Sequence, residues 1–180
     1  DLERVEILKG PQGTLFGQNA TGGAINYIAA KPTDELSAGG SISYGRFNEV
    51  VADAFISGPI SPTLRARLAG RLERADGWQI SNSRPGDRNG KVENYMGRLL
   101  VDFEPTERLR FKLNINGWKD NSDTQAPQYI ALFPQAPAFL TPQLAASQFS
   151  PERPQAADWT PGVPRRSNRL GQVAFRAEFD

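Results

Sequence analysis

Few side chains in this sequence could do acid–base or metal chemistry. The chain contains no cysteine and no histidine, so it lacks the commonest general base and metal ligand as well as any thiolate. An enzyme built from this sequence would need a carboxylate pair or a serine activated by lysine. The aspartates and glutamates are scattered without a recognisable catalytic frame. We therefore predict that the chain is not an enzyme and holds no metal and no cofactor.

The charged side chains instead offer electrostatic binding. Lys and Arg number 21 against 20 Asp and Glu, a formal net charge of +1, so the basic excess typical of nucleic-acid-binding proteins is absent. One set of basic residues nevertheless recurs at alternate positions of several segments. Such a face could attract an anionic ligand, or its charges could pair with carboxylates elsewhere or be solvated, which is the alternative we favour. The set comprises Arg65, Arg67, Arg71, Arg98, Arg110, Lys112 and Arg176.

Alternation of apolar and polar residues predicts that these basic residues lie on strands. Segment 64–73 has apolar or small residues at every even position and mostly charges between them, and segments 94–103, 109–117 and 172–179 repeat the pattern. Two weaker segments, 38–46 and 49–58, precede them. Each is about ten residues long, which is the length that a tilted strand needs to cross a bilayer. The chain would then form about six strands of a wall that is apolar outside and charged inside.

Hydropathy does not decide whether this sheet faces lipid or water. The mean hydropathy is -0.50, and no apolar run reaches the roughly 18 residues of a transmembrane helix. A transmembrane β-barrel passes that test because only alternate residues face lipid. A soluble antiparallel sheet with one wet face would alternate in the same way.

The lengths of the connections favour the membrane interpretation. The turns at 59–63 and 104–108 are short, whereas the intervening set at 45–48, 75–91 and 120–168 contains two long connections. Outer-membrane barrels have this asymmetry, with tight periplasmic turns and long external loops. Residues 141–147 of the longest loop are typical of a short helix. The aromatic residues of this longest loop are candidate ligand contacts: Tyr129, Phe133, Phe139 and Trp159. A mobile loop with a few packed aromatic residues is an equal alternative.

Residues 1–33 have a different pattern, with short apolar runs between glycines. The runs 5–8 and 24–28 are typical of short strands, and Lys31-Pro32 follows the second. Glycines at positions such as Gly10 and Gly13 permit positive φ and close backbone approach. No Gly-Lys-Ser/Thr sequence follows them, which excludes a phosphate-binding loop of the Walker type.

Residues 3–32 read ERVEILKGPQGTLFGQNATGGAINYIAAKP. This stretch closely resembles the C-terminal half of the plug domain of TonB-dependent outer-membrane receptors. Lys9 departs from the family pattern, which often has arginine before Gly-Pro, and it retains the charge without the bidentate fork. The resemblance implies that Arg4 and Lys9 pair with barrel carboxylates in strands outside this chain. The motif positions are Arg4, Lys9, Gly10, Pro11, Gly13, Phe16, Gly17, Gly22, Gly23 and Asn26.

The resemblance also implies a fold and a function. The expected fold is all-β, a fragment of a plugged antiparallel transmembrane β-barrel, with residues 1–33 in the plug and 37–180 in the N-terminal part of the barrel. The first residues read as the middle of a folded segment, so we expect truncation at both ends. A complete receptor of this family has about 22 strands around its plug.

The expected function is active import of a scarce nutrient, most often a ferric siderophore, across the outer membrane of a Gram-negative bacterium. The implied partners are the TonB complex of the inner membrane, reached through a box absent from this chain, outer-membrane lipid and a small nutrient ligand. A receptor for an oligosaccharide or another organic ligand is the alternative. A soluble β-sheet binding protein and a passive porin also stay open.

Overall fold

The computed structural model describes residues 1–10, 22–81, 86–126 and 166–180. Within these ranges the chain is all-β, which confirms the predicted fold class, and the only helical element is the 3-10 turn Arg46–Asn48. No helix in the same ranges is long and apolar enough to cross a membrane. The described strands are β1 (Leu2–Lys9), β2 (Gly23–Ala29), β3 (Ser37–Gly45), β4 (Glu49–Ser61), β5 (Leu64–Ala75), β6 (Gln79–Ile80), β7 (Arg88–Asn89), β8 (Val92–Thr106), β9 (Leu109–Asp120) and β10 (Asn168–Phe179).

Strands β1 and β2 form a small antiparallel sheet of their own. Gly23 begins β2 with φ of 136°, and a Cβ atom placed there would lie 2.5 Å from the backbone oxygen of Leu8. No side chain fits that position without moving the backbone, so this sheet requires glycine. Gly10, just after β1, also has a positive φ, of 86°.

Six strands form the large sheet, in the order β10-β9-β8-β5-β4-β3, and every neighbouring pair is antiparallel. Strands that are successive along the chain are therefore neighbours, apart from the short β6–β7 pair inserted between β5 and β8. This up-and-down order is the topology that a barrel wall needs. The strands run from 9 to 15 residues, longer than the usual strand of a globular protein.

The register gives the large sheet two unlike faces. One row across the strands joins Leu68, Leu99, Ile115 and Val173, and its neighbours in the same phase are also apolar or small. We call this side the apolar face. The opposite side, the charged face, carries rows such as Arg65, Asp102, Lys112 and Arg176. One slip of register would mix the two faces, so the pairing is well specified.

The two short turns are tighter than the sequence predicted. Strand β4 continues through Pro59 to Ser61, and β8 continues to Thr106. The turns therefore consist of residues 62–63 and 107–108, and the predicted boundaries 59–63 and 104–108 are wrong. The register of β4 shifts between Pro59 and Ser61, and such an irregularity accommodates proline, which lacks an N–H group for the ladder.

The end of the sheet opposite these turns carries the longer connections, and we call it the loop end. There the short β6–β7 sheet is closed by the buried amides of Gln79 and Asn89, which are 4% and 5% exposed. The Asn89 amide donates to Gln79 Oε1 at 2.9 Å and to the carbonyl of Thr124 at 2.7 Å. Gln79 donates to the carbonyl of Ala126 at 2.7 Å. These bonds hold the start of the longest loop against the hairpin.

The end with the short turns, the turn end, carries aromatic residues on the apolar face. The rings of Phe103 and Phe111 are stacked with centroids 6.1 Å apart, and those of Phe111 and Phe175 are 5.8 Å apart. Stacked rings at this spacing attract each other beyond their area of contact.

Candidate functional site

The charged face of the large sheet binds Asp1, the residue just before β1, through two arginines. Arg67, the fourth residue of β5, binds the carboxylate of Asp1 with two donors, Nε to Oδ2 at 3.0 Å and an Nη to Oδ1 at 2.5 Å. The neighbouring strand adds Arg98, whose guanidinium donates to the Asp1 carbonyl at 3.2 Å. The face that sequence alternation marks as basic therefore binds another part of the same chain.

Arg67 is also the most enclosed of the seven basic residues in this set, with 6% of its surface exposed. Its guanidinium lies over the ring of Phe55, 4.0 Å from the centroid. Gly39 stands opposite Phe55, and a Cβ atom there would lie 2.9 Å from the ring, so glycine gives the ring its space. A bidentate carboxylate and an aromatic face together replace the water that a buried guanidinium loses.

A second group of contacts ties the segment between β2 and β3 to the turn end of the same face. Arg65 binds Asp34 at 2.6 Å and Glu104 at 2.7 Å. The buried hydroxyl of Ser57 accepts bonds from the backbone N–H and the hydroxyl of Thr33 at 3.0 and 2.9 Å. The chain therefore leaves β2 along the charged face and enters β3 at the turn end.

The remaining residues of the basic set share that face but do not converge on one point. Arg71 is 3.7 Å from Glu73, and Arg110 is 3.5 Å from Asp180. Lys112 and Arg176 both contact Glu178, at 3.2 and 2.8 Å. These pairings leave little uncompensated positive charge on the part of the wall that the structure describes.

A cleft of about 360 Å³ opens between Asp1 and the charged face. Its wall includes Phe55, Arg71 and Trp118, together with polar and small residues of β8 and β9. Arg71 has 47% of its side chain exposed. The cleft thus offers an aromatic surface and a partly free guanidinium next to the contact between β1 and the sheet.

Of the motif residues, Arg4 pairs locally. It binds Glu6 at 2.8 Å and also contacts Glu3, while the Asn26 amide donates to Glu6 at 3.4 Å. The hydrogen bond from Arg4 lowers the pKa of the Glu6 carboxyl below its ordinary value, and the bond to Glu6 raises the pKa of Arg4. The expected pairing of Arg4 and Lys9 with carboxylates of further strands stays a prediction.

Several candidate residues lie outside the described residues. They are the motif residues Pro11, Gly13, Phe16 and Gly17, the loop aromatics Tyr129, Phe133, Phe139 and Trp159, and the expected helix at 141–147. Among the described residues, no group of three or more acidic side chains could hold a metal ion.

Sequence reasoning missed the partners of the basic face. Asp1, Asp34 and Phe55 were not among the candidates, yet they hold Arg67 and Arg65 in place. Phe55 gave a usable signal, because it is a large aromatic residue in the charged phase of β4. Asp1 gave no such signal, since period-two patterning carries no information about contacts between separate sheets.

No family model matches the chain, but individual proteins do. The iron-regulated outer membrane virulence protein of Vibrio cholerae is 26% identical over 121 residues, which are 64% of this chain and 18% of that protein. The ferripyoverdine receptor of Pseudomonas aeruginosa is 32% identical over 107 residues, covering 59% of this chain and 13% of the receptor. The chain therefore spans less than one fifth of each of these relatives.

A solved structure supports the fold. The crystal structure of the ferric yersiniabactin uptake receptor FyuA from Yersinia pestis superimposes on the whole chain with a TM-score of 0.65 and 19% sequence identity, and the match covers 26% of that receptor. The resemblance that the motif indicates is thus confirmed by sequence relatives and by fold. Over the part of its length that these matches cover, the chain is homologous to the TonB-dependent outer-membrane receptors.

Proposed function

We propose that this chain is part of a receptor that imports a ferric siderophore across the outer membrane of a Gram-negative bacterium, energised by the TonB complex of the inner membrane. In this proposal residues 1–33 belong to the plug and residues 37–180 to the barrel wall. The observation that carries the proposal is the ion pair between Arg67 on the charged face of the large sheet and Asp1, the residue just before β1.

This ion pair supports an orientation of the sheet. A face that holds buried ion pairs to another segment points toward protein, because an unpaired arginine facing lipid near the midplane would cost roughly 2–4 kcal/mol. The apolar face is then left for lipid, and its side chains are widely exposed, with Ile42 at 77% and Val173 at 69%.

The height of the apolar face suits a membrane. On β8, outward aromatic residues stand at Tyr95 and Phe103, separated by about 26 Å along a strand at ~3.3 Å per residue. A tilt of about 40° reduces this to roughly 20 Å along the barrel axis, comparable with the apolar band of outer-membrane barrels. The asymmetry of the connections supports the loop end as the external side.

An occupied lumen would support active import over passive diffusion. Asp1 and Asp34, which flank β1 and β2 along the chain, both bind the charged face. In a complete receptor this segment would therefore lie inside the wall, which argues against the passive porin. Substrate bound tightly enough to be captured from dilute solution also leaves slowly, so release into the periplasm requires work from a partner.

The substrate class rests on weaker support. Two relatives carry names that refer to iron regulation and to ferripyoverdine. Most basic residues of the described wall are paired, so attraction of an anionic ligand would depend on Arg71, on the cleft beside it and on the external loops.

The test is a titration of the full-length receptor that contains this segment, purified in detergent, with a panel of ferric siderophores, cobalamin and oligosaccharides. Trp118 lines the cleft, so tryptophan fluorescence is a suitable signal. We expect saturable binding of a ferric complex with Kd of about 1 µM or tighter, about -8 kcal/mol. If no iron complex changed the fluorescence while a sugar or cobalamin gave saturable binding, the substrate would be reassigned to that ligand. Recovery of the receptor in the aqueous fraction without detergent would instead favour a soluble binding protein.

A matched pair of variants tests the role of the wall charges. We expect Arg71→Gln to weaken binding of the ferric complex severalfold, because Arg71 is the partly free charge of the cleft. Arg110→Gln, at the turn end of the same face, is the control. If both variants bound the ferric complex as tightly as the parent receptor, the wall charges would not contribute to ligand binding and would serve only in ion pairs within the protein.

A further inference from the structure

Two neighbouring basic residues stand at the loop end of the apolar face of the large sheet. A third, Arg74, shares this face on β5, but its cross-strand partner is the acidic Glu93. The register pairs Leu72 with Tyr95, Tyr95 with Lys119, and Lys119 with Arg169. Because these positions are direct cross-strand partners, they share one face, which is the apolar one. Lys119 and Arg169 therefore lie at the loop end of the surface that faces lipid.

The two cations are direct neighbours without a counter-charge among the described residues. Like charges opposite each other destabilise an antiparallel pair. The nearby acids are already engaged, since Asp120 binds Arg166 at 3.1 Å and lies in the opposite phase of β9. Glu93 forms an ion pair with Lys91. Both basic side chains are exposed, so an anion from outside the described chain would relieve their repulsion.

A row of very small residues lies directly below this pair. One residue pair closer to the membrane centre, the register joins Ala54, Gly70, Gly97, Gly117 and Gly171 across five strands. Side chains are absent or minimal there, and a Cβ atom at Gly97 or Gly171 would meet nothing within 4 Å. A shallow groove of about 690 Å³ follows part of this row, with walls that include Leu68, Leu72 and Tyr95.

The depth of the pair matches that of lipid phosphates. Tyr95, beside Lys119, occupies the position of an interfacial aromatic residue. Lysine and arginine near such an interface extend their charged ends toward the headgroups while their aliphatic stems stay on apolar surface. The basic pair on β9 and β10 thus meets the headgroup region, and the groove, which lies deeper and to one side on β4, β5 and β8, meets the acyl chains.

We propose that Lys119 and Arg169 bind the phosphate of a phosphorylated lipid headgroup in the external leaflet, and that the groove along the glycine row receives one acyl chain of the same lipid. This inference rests on the proposed function, which places the apolar face in the membrane with the loop end outside. A bidentate guanidinium and an ammonium side by side suit a phosphate, which offers several acceptor oxygens.

The test uses the full-length receptor in phosphatidylcholine nanodiscs that contain a small fraction of bisphosphorylated lipid A or of the same lipid after dephosphorylation. The number of lipid A molecules retained per receptor is measured by native mass spectrometry over a series of lipid fractions. We expect Lys119→Gln with Arg169→Gln to weaken retention of the phosphorylated lipid roughly 25-fold, about fivefold for each basic residue near an anionic surface. Arg108→Gln, at the turn between β8 and β9, makes the same charge change at the far end and is the control.

A third variant separates the two parts of the site. Gly97→Leu fills the groove without changing charge, and we expect it to weaken retention of both lipid forms, whereas the double variant affects the phosphorylated form alone. Equal retention of phosphorylated and dephosphorylated lipid by the parent receptor would overturn the inference. It would also be overturned if inorganic phosphate displaced all of the bound lipid while the double variant retained as much phosphorylated lipid as the parent receptor. A receptor that fails to insert into nanodiscs at all would instead contradict the proposed function.

Discussion

At the scale of single residues, Arg67 shows how a charge in the inner wall becomes a structural contact. Its guanidinium is enclosed between the carboxylate of Asp1 and the ring of Phe55. Arginine suits such a place because it is weakly hydrated, binds carboxylates with two parallel bonds and stacks on aromatic faces. Lysine at this position would supply the charge without the fork or the stacking.

The contact between Arg67 and Asp1 can be measured by a double-mutant cycle. In the full-length receptor we expect Arg67→Gln and Asp1→Asn to loosen β1 and β2, with a coupling free energy of about 1–3 kcal/mol between the two positions. Hydrogen-exchange protection of the β1–β2 amides is the measurement. Arg71→Gln, on the same strand and face but more exposed, should leave this protection unchanged. Strictly additive effects of the two changes would show that the ion pair does not hold the strands.

The pair Arg4 and Glu6 gives a prediction that depends on pH. Because the pKa of Glu6 is lowered in the folded protein, the pair contributes stability above the ordinary pKa of 4.5 and loses that contribution as the pH falls through the folded value. We expect Arg4→Gln to raise the Glu6 pKa toward its ordinary value, measured by NMR with selectively labelled glutamate. Lys9→Gln removes the same charge from the same strand and should not move it. An unchanged pKa in the Arg4 variant would contradict the assignment of cause.

For the seven basic residues, the sequence predicts the face of the sheet on which each lies much better than it predicts the residue with which each pairs. Period two places all seven basic residues on one side of the sheet, and the register agrees. It does not pair Arg67 with Asp1, which is 66 positions away in a separate sheet. Sequence analysis also missed Lys119 and Arg169. A charged residue at an apolar position of the pattern indicates that an alternating segment has ended, so both residues were left outside the segments.

At the scale of elements, the strands are longer than their alternating segments, mainly at the loop end. Strand β8 extends from Val92 to Thr106 and β10 from Asn168 to Phe179, whereas strict alternation covers 94–103 and 172–179. In the proposed orientation most of the additional residues lie at or beyond the edge of the apolar band, so neither face there needs an apolar sequence. Alternation therefore predicts the membrane-facing part of a strand, and backbone pairing sets its full length.

The hairpin of β6 and β7 depends on one glycine at the loop end. Gly90 has φ of 83°, and a Cβ atom there would lie 2.7 Å from Nε1 of Trp78. We expect Gly90→Ala to displace the indole and to weaken the buried amide contacts of Gln79 and Asn89, in addition to a backbone cost of about 1–2 kcal/mol for a left-handed residue. Hydrogen-exchange protection of residues 79–80 and 88–89 is the measurement.

Gly86 supplies the control for this variant. It also has a positive φ, of 96°, but a Cβ atom there would meet nothing within 4 Å. Gly86→Ala should therefore carry the backbone cost alone and leave the environment of Trp78 unchanged. Similar effects of both variants on Trp78 would mean that the steric contact at Gly90 is unimportant.

At the scale of the whole molecule, the topology explains why this wall needs further strands. The large sheet ends at β3 on one side and at β10 on the other, and each edge strand leaves backbone groups unpaired among the described residues. In hydrocarbon each unpaired N–H or C=O costs several kcal/mol, so transmembrane sheets close into barrels. The contacts between β1 and the charged face do not satisfy these edges, because they involve side chains in the middle of the sheet.

We therefore expect the 180-residue chain expressed alone not to form a stable inserted barrel. Refolded into detergent or lipid, it should migrate identically with and without heating and remain open to protease, because two open edges expose backbone to lipid and invite pairing between copies. The full-length receptor refolded under the same conditions is the control and should show heat-dependent migration and protection. A heat-resistant, correctly inserted barrel formed by these residues alone would show that the edges can be closed without further strands. Such a result would mean that the apolar face is complete as a unit and that the contact between Arg67 and Asp1 can form without further strands.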